Sequence, residues 1–163
     1  IVVDPLSALP RVDREYVLVA GEWYLSNDGI AEPASLDMNK ARAMMPDWTA
    51  FNGYAGQYVT HPLTSNPGDT VRFYVVDAGP SLTTAFHVVG TIFNTVYPNG
   101  DMHPEHVESG VQTVNVPAGG GAVFDIKIDE EGLYPVVSHA FASVDMGQVG
   151  ILKVGNPPGT ASH

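Results

Sequence analysis

The chain has 163 residues, enough for one domain or one domain with an extension, and its 44% hydrophobic content supports a packed core rather than a disordered chain. Seven Lys and Arg against 18 Asp and Glu give a formal net charge of -11, which repels phosphate backbones and argues against nucleic-acid partners. The absence of Cys excludes disulfides, thiolate nucleophiles, iron–sulfur clusters, Cys-based zinc sites and the thiolate-ligated blue-copper centre. No apolar run approaches the ~20 residues needed to span a bilayer. The start Ile1-Val2-Val3, with neither leader nor initiator Met, is that expected of a trimmed product or an excised domain.

In chain order, residues 1–47 read as a connecting arm. Glu15 to Leu25 within it has the character of one strand, free to pair with another part of the chain. Leu36 to Met45 has the signals of a short helix inside residues 35–46. Ser35 can cap it, Asp37 sits in its first turn, Lys40 and Arg42 come later, and Pro46 stops it.

Residues 48–155 read as an all-β sandwich with Greek-key connections, because 17 Gly and 13 Pro punctuate short β-rich runs. Asn66-Pro67-Gly68-Asp69 is a turn sequence leading into a strand from Thr70 to Val76. Ala122 to Asp129 alternates most cleanly. Ala122, Phe124, Ile126 and Ile128 are expected in the core, and Asp125, Lys127 and Asp129 outside. Glu130-Glu131-Gly132 turns the chain into Leu133 to His139, and Val149 to Val154 is the last strand. Asn156-Pro157-Pro158-Gly159 ends the fold, with 156–163 a flexible tail. There is no internal repeat and no low-complexity segment.

Six histidines are the candidate chemistry. His61 precedes a Pro in a loop and His163 lies in the tail, so both read as solvated surface residues. His103 and His106 sit in Asp101-Met102-His103-Pro104-Glu105-His106. Two imidazoles three apart beside carboxylates could hold a divalent ion, but Pro104 argues against a helix that would align them, and a solvated loop is the commoner outcome. His87 and His139 each lie in an apolar, strand-like run beside small residues. A buried imidazole needs a partner, since an unpaired buried polar group costs about 1–3 kcal/mol. A core hydrogen bond and a metal site both answer that need.

The residues around these two histidines carry a family resemblance. The block Phe73 to Tyr97, with Gly79-Pro80-Ser81-Leu82-Thr83-Thr84-Ala85-Phe86-His87-Val88-Val89-Gly90 at its centre, resembles the second cupredoxin domain of copper-containing nitrite reductases. Val111-Gln112-Thr113 through Pro117-Ala118-Gly119-Gly120 and the ending Gly147-Gln148-Val149-Gly150-Ile151-Leu152-Lys153-Val154 are similar as well. So are Asp13-Arg14-Glu15-Tyr16 and Gly21-Glu22-Trp23-Tyr24 in the arm, and Phe51-Asn52-Gly53 at the domain opening. The resemblance runs from Asp13 to Val154. Asp101 to Gly110 reads as an inserted loop, and the stretch from Ala140 to Gly147 is about one residue shorter than in the family.

The resemblance implies a cupredoxin-like sandwich within a periplasmic or otherwise extracytoplasmic homotrimer that reduces nitrite to nitric oxide in denitrification. His139 matches the residue that supplies one ligand to a type 2 copper shared between subunits. His87 matches the unligated histidine that delivers a proton, a task suited to an imidazole. Val89 matches a residue that shapes the nitrite pocket. The blue (type 1) copper, the two other type 2 ligands and an Asp partner of His87 are implied to belong to a first cupredoxin domain outside this chain. The isolated chain is therefore expected to be colourless and inactive toward nitrite. Two alternatives remain beside this reading. One is a domain of another multicopper oxidase, whose trinuclear cluster needs His-x-His pairs that do not occur here. The other is a non-catalytic cupredoxin scaffold or trimerisation module.

Overall fold

Strand β4 (Thr70–Asp77) shows how alternation builds the sandwich. Val71, Phe73 and Val75 point into the core and are buried, while Tyr74 and Val76 face the other way. A computed structural model describes residues 2–30 and 32–158 of the chain. One sheet runs in the order β2 (Trp48–Phe51), β1 (Arg14–Trp23), β4, β8 (Gly121–Lys127), β6 (Thr95–Pro98). The other runs β3 (His61–Ser65), β10 (Val149–Val154), β9 (Gly132–Ser138), β5 (Thr84–Val88), β7 (Thr113–Val116). From β4 to β9 consecutive strands alternate between the sheets, so each connection crosses an end of the sandwich. β1 pairs parallel with β4 and β3 parallel with β10, and the other ladders are antiparallel.

Phe86 sits at the centre of the core. Its ring lies 4.7 Å from that of Phe124, 5.6 Å from Phe73, 5.8 Å from Phe93 and 6.3 Å from Phe51, centroid to centroid. These spacings fall in the range where aromatic pairs gain beyond simple burial. Ala122, Phe124, Ile126 and Ile128 are buried as their alternation predicts.

The stretch expected as an arm supplies β1, which is inserted between β2 and β4 with Leu18 and Ala20 in the core. Among the described residues three short α-helices are present where one was expected: α1 (Met38–Ala43), α2 (Gln57–Thr60) and α3 (Ala142–Asp145), with a 3-10 turn over Ser26–Gly29. The two extra helices are single turns, too short to show a 3.6-residue period. Helix α1 is capped by Asp37 rather than Ser35. The Asp37 carboxylate accepts from the backbone N–H groups of Asn39 and Lys40, whereas Ser35 N–H donates to Ser26 Oγ.

Asp125 departs from expectation. It is on the outer face of β8, as its parity requires, but it is only 6% exposed. Arg72 stands opposite it on β4 and donates from Nε and Nη2 to its two carboxylate oxygens, each at 2.7 Å. Residues 2–12 run over this face, where Val2, Leu9 and Arg11 border the same cleft as Arg72 and Tyr74. Alternation gives the face a residue takes but not whether another segment covers that face. Among the described residues no helix is long and apolar enough to cross a membrane. Residues 159–163 of the expected tail, including His163, lie outside the described part.

Candidate metal and acid–base site

Two adjacent strands position the site. The β5–β9 register pairs His87 with Val137, so the residue two further along the β9 line, His139, falls on the face that His87 occupies. The ladder continues one step past β9, with His139 N–H donating to the Ala85 carbonyl at 2.7 Å. The two imidazole rings lie 5.4 Å apart, inclined by 57°. Val89, two residues after His87, faces the same way, and its N–H donates to the Pro135 carbonyl.

The two histidines differ in environment. His87 is 8% exposed and its Nδ1 lies 2.6 Å from the Gln112 carbonyl oxygen. A carbonyl can only accept, so Nδ1 carries the proton and the lone pair is at Nε2. His139 is exposed, with the Phe141 ring 6.3 Å from its own. Val89 and Phe141 are also open to solvent, at 39% and 66% exposure, and Phe141 is the apolar neighbour of the accessible imidazole.

A buried polar layer holds the strands that carry the pair. Asp77 accepts from the N–H groups of Gly79 and Thr84, both at 2.8 Å. Glu22 accepts from the Tyr24 hydroxyl and from the N–H groups of Ser81 and Leu82. Both ends of the 78–83 turn are thereby fixed just before β5. Burial pushes the Asp77 carboxyl above the usual range, and the Glu22 charge adds to this, against the pull of its hydrogen bonds. Burial, followed by the Glu22 carboxylate, pushes Tyr24 up to about 12. Across the β5–β9 seam, Ser138 Oγ accepts from Ala85 N–H, and Gln148 Nε2 donates to Thr84 Oγ1. The loop after His139 is tied to β2, since Thr49 donates through Oγ1 to the Ser143 carbonyl and through N–H to that of Met146. Gly147 takes φ +115° there, against Ala55 and the Thr49 carbonyl, where a side chain would not fit.

The structure therefore brings His87 and His139 together, whereas Val89 lies past His87 on the side away from His139, since the ladder sets Ala85 beside His139 and Val89 beside Pro135. It leaves His61 exposed elsewhere on β3, and His103 and His106 on the 99–110 loop, outside the pair's neighbourhood. Gln112 and Phe141 join the site without having been singled out by the sequence. The Gln112 contribution is a backbone carbonyl, placed by the pairing of His87 with Thr113 across β5 and β7. Among the described residues no group of three or more His, Asp or Glu converges as a complete metal site. The donor set is one exposed imidazole and one imidazole with a single free nitrogen. Such a set fits copper, which accepts imidazole readily, as part of a site that other donors complete.

Comparison with known proteins agrees with this architecture. Residues 30–157 match the family model described as multicopper oxidase. The chain is 39% identical over 157 residues to a copper-containing nitrite reductase of Neisseria gonorrhoeae, covering 94% of this chain and 39% of that protein. It thus spans about two fifths of the length of the curated relatives it matches. Among solved structures, the copper nitrite reductase of Nitrosomonas europaea aligns with a TM-score of 0.78 and 30% identity over 91% of this chain and 51% of that one. The copper-containing nitrite reductase of Thermus scotoductus SA-01 aligns with a TM-score of 0.77 and 29% identity over 89% and 31%.

Proposed function

The chain belongs to the multicopper oxidase family, and from that premise we propose that it serves as the second cupredoxin domain of a copper nitrite reductase. His139 is one ligand of a type 2 copper whose other ligands come from a first cupredoxin domain of a neighbouring subunit in a homotrimer. His87 is the acid–base residue beside that copper, and Val89 borders the nitrite pocket. The enzyme would work outside the cytoplasm. The observation that carries this reading is the asymmetry of the imidazole pair. One ring is exposed and free to ligate, and the other, 5.4 Å away, is anchored through Nδ1 and keeps Nε2 as its one free nitrogen.

Reduction of nitrite to nitric oxide and water takes up one electron and two protons. Copper, when bound, supplies the electron. This chain's residues supply geometry and protons. The Gln112 carbonyl fixes the His87 ring and tautomer, so that Nε2 alone takes up and releases the proton. Val89 offers a small apolar wall, which leaves room for a three-atom anion. The exposed side chains of Val89 and Phe141 are surface for a covering subunit, which would exclude water from the reaction.

The test uses the full-length protein that contains this domain. His139→Ala is expected to abolish the type 2 copper signal in electron paramagnetic resonance, while His87→Ala keeps that copper and lowers turnover by about 10²–10⁴-fold. Copper lost from the His87 variant and kept in the His139 variant would reverse the assignment. Copper kept at the type 2 site in both would end it.

A further inference from the structure

A second pair of imidazoles lies on the 99–110 loop, which the site above does not use. The ring centroids of His103 and His106 are 5.5 Å apart, nearly the spacing of His87 and His139. Pro104 prevents a helix, yet a tight turn brings the two together, with His106 N–H donating to the His103 carbonyl at 2.8 Å. The base of the loop is clamped. Val96 and Glu108 exchange backbone hydrogen bonds at 2.9 and 3.0 Å, and Asp101 N–H donates to the Pro98 carbonyl at 3.0 Å.

Asp101 organises both rings. Its Oδ1 accepts from His103 N–H at 2.9 Å and its Oδ2 from His106 Nδ1 at 2.7 Å. An ionised carboxylate can only accept, so the proton of the His106 ring sits on Nδ1 and its lone pair on Nε2. A carboxylate that fixes the tautomer and direction of an imidazole in this way is the usual outer support of a metal-bound histidine. A metal ion about 2.0–2.1 Å from an imidazole nitrogen stands about 3 Å from the ring centre. Two ring centres 5.5 Å apart can therefore flank one ion. Both rings are exposed, so an ion reaches them without opening the fold. Asp101 and Glu105 add negative charge to the loop.

We propose that this loop is a surface site for a first-row divalent metal of the imidazole-preferring kind, Zn²⁺ or Cu²⁺. Nε2 of His106 and the ring of His103 are its protein ligands. Asp101 is a positioning residue held outside the coordination sphere, and water fills the remaining positions. The site is independent of the nitrite reductase reading and makes use of an element read from the sequence as an insertion.

The probe is Zn²⁺ alone, added to the chain carrying His87→Ala and His139→Ala, so that the other imidazole pair cannot contribute. Equilibrium dialysis gives stoichiometry and affinity, and imidazole ¹H–¹⁵N spectra show which rings respond. One Zn²⁺ per chain is expected, with shifts at His103 and His106 and none at His61. Adding His103→Ala or His106→Ala should weaken binding by at least ~10-fold, and Asp101→Asn by about 10–100-fold. The side-chain amide introduced by Asp101→Asn can still accept from His103 N–H, so that variant keeps the turn while losing the anionic acceptor for His106. Binding no tighter than in the His103→Ala/His106→Ala variant would overturn the proposal. So would binding that follows His61, or an affinity unchanged by Asp101→Asn.

Discussion

Ala85 is tied to β9 twice, its carbonyl by His139 N–H and its own N–H by Ser138 Oγ, so the end of the strand that carries His87 is stitched to the residue that ends the other half of the pair. The spacing of the two imidazoles is consequently a property of the ladder rather than of loop conformation. Sites built on strands in this way hold their geometry better than sites on loops.

The first prediction concerns the His87 tautomer. The neutral ring should carry its proton on Nδ1, because the Gln112 carbonyl is 2.6 Å away and can only accept. Imidazole ¹⁵N chemical shifts distinguish the two tautomers directly. Gln112→Ala should leave the pattern unchanged, since the acceptor is backbone. A dominant Nε2–H form would contradict the assignment and remove the basis for naming Nε2 as the free nitrogen.

The second prediction concerns the covered ion pair on the opposite sheet. Arg72 and Asp125 are both buried and meet through two hydrogen bonds of 2.7 Å, with Glu15 3.8 Å from Arg72 on the exposed side. The pair holds the Arg72 guanidinium further above its ordinary value, with the Asp125 hydrogen bond as the main cause. Removing one partner leaves an uncompensated buried charge. Asp125→Ala should therefore destabilise the fold by about 3–5 kcal/mol, whereas Arg72→Met with Asp125→Leu should cost far less than the two single changes added together. Denaturant titration of the four proteins of this cycle measures the coupling. Additive losses would show that the pair acts as two independent residues.

Much of this arrangement can be read from the sequence, and the limits have identifiable causes. Alternation in residues 122–128 gave the inward face because that signal is local and has period two. The same alternation assigned Asp125 to solvent, because the partner that buries it is Arg72 on β4, more than fifty positions away. Glu15 to Leu25 reads as a strand from composition, but its place between β2 and β4 depends on pairings with residues 48–51 and 71–77. His87 and His139 were marked by an imidazole in an apolar run, and Val89 by the family resemblance. The common face of His87 and His139 follows from register, which a single strand does not encode. Gln112 was invisible as a site residue because it acts through its backbone. The Ser35 cap failed in favour of Asp37, two residues on, since both residue types cap helices and only the final turn geometry selects between them.

Asp77 gives a pH dependence with a defined sign. Burial raises its carboxyl above the ordinary value of about 3.9, so the folded chain holds that proton more tightly than the unfolded chain. The associated stability is fully present below the unfolded value and is lost as pH rises through the raised folded value. Asp77→Asn removes the titration. The stability of the unmodified chain relative to this variant should therefore fall as pH climbs through that window and level off above it. Thermal unfolding of both proteins over a pH series reads the difference. A flat difference, or one that grows with pH, would mean that the N–H bonds from Gly79 and Thr84 outweigh burial.

The last prediction ties the core to the site. Phe86 and His87 are neighbours on β5, one pointing into the sandwich and the other out. Phe86 contacts the rings of Phe51, Phe73, Phe93 and Phe124, which come from β2, β4, the segment before β6, and β8. Removing its ring leaves a cavity that four other rings cannot close, so Phe86→Ala should cost about 3–5 kcal/mol. Phe86→Leu retains most of the volume and should cost less. The consequence for function is local. β5 is held on one side by β9 and from below by Phe86, so losing the ring should loosen the strand and widen the distribution of His87–His139 separations. Nuclear Overhauser contacts between the two imidazoles, measured below the unfolding transition, test this. They should be present in the unmodified chain and in Phe86→Leu, and weakened in Phe86→Ala. Contacts that stay equally strong in Phe86→Ala would show that the β5–β9 ladder fixes the pair without help from the core.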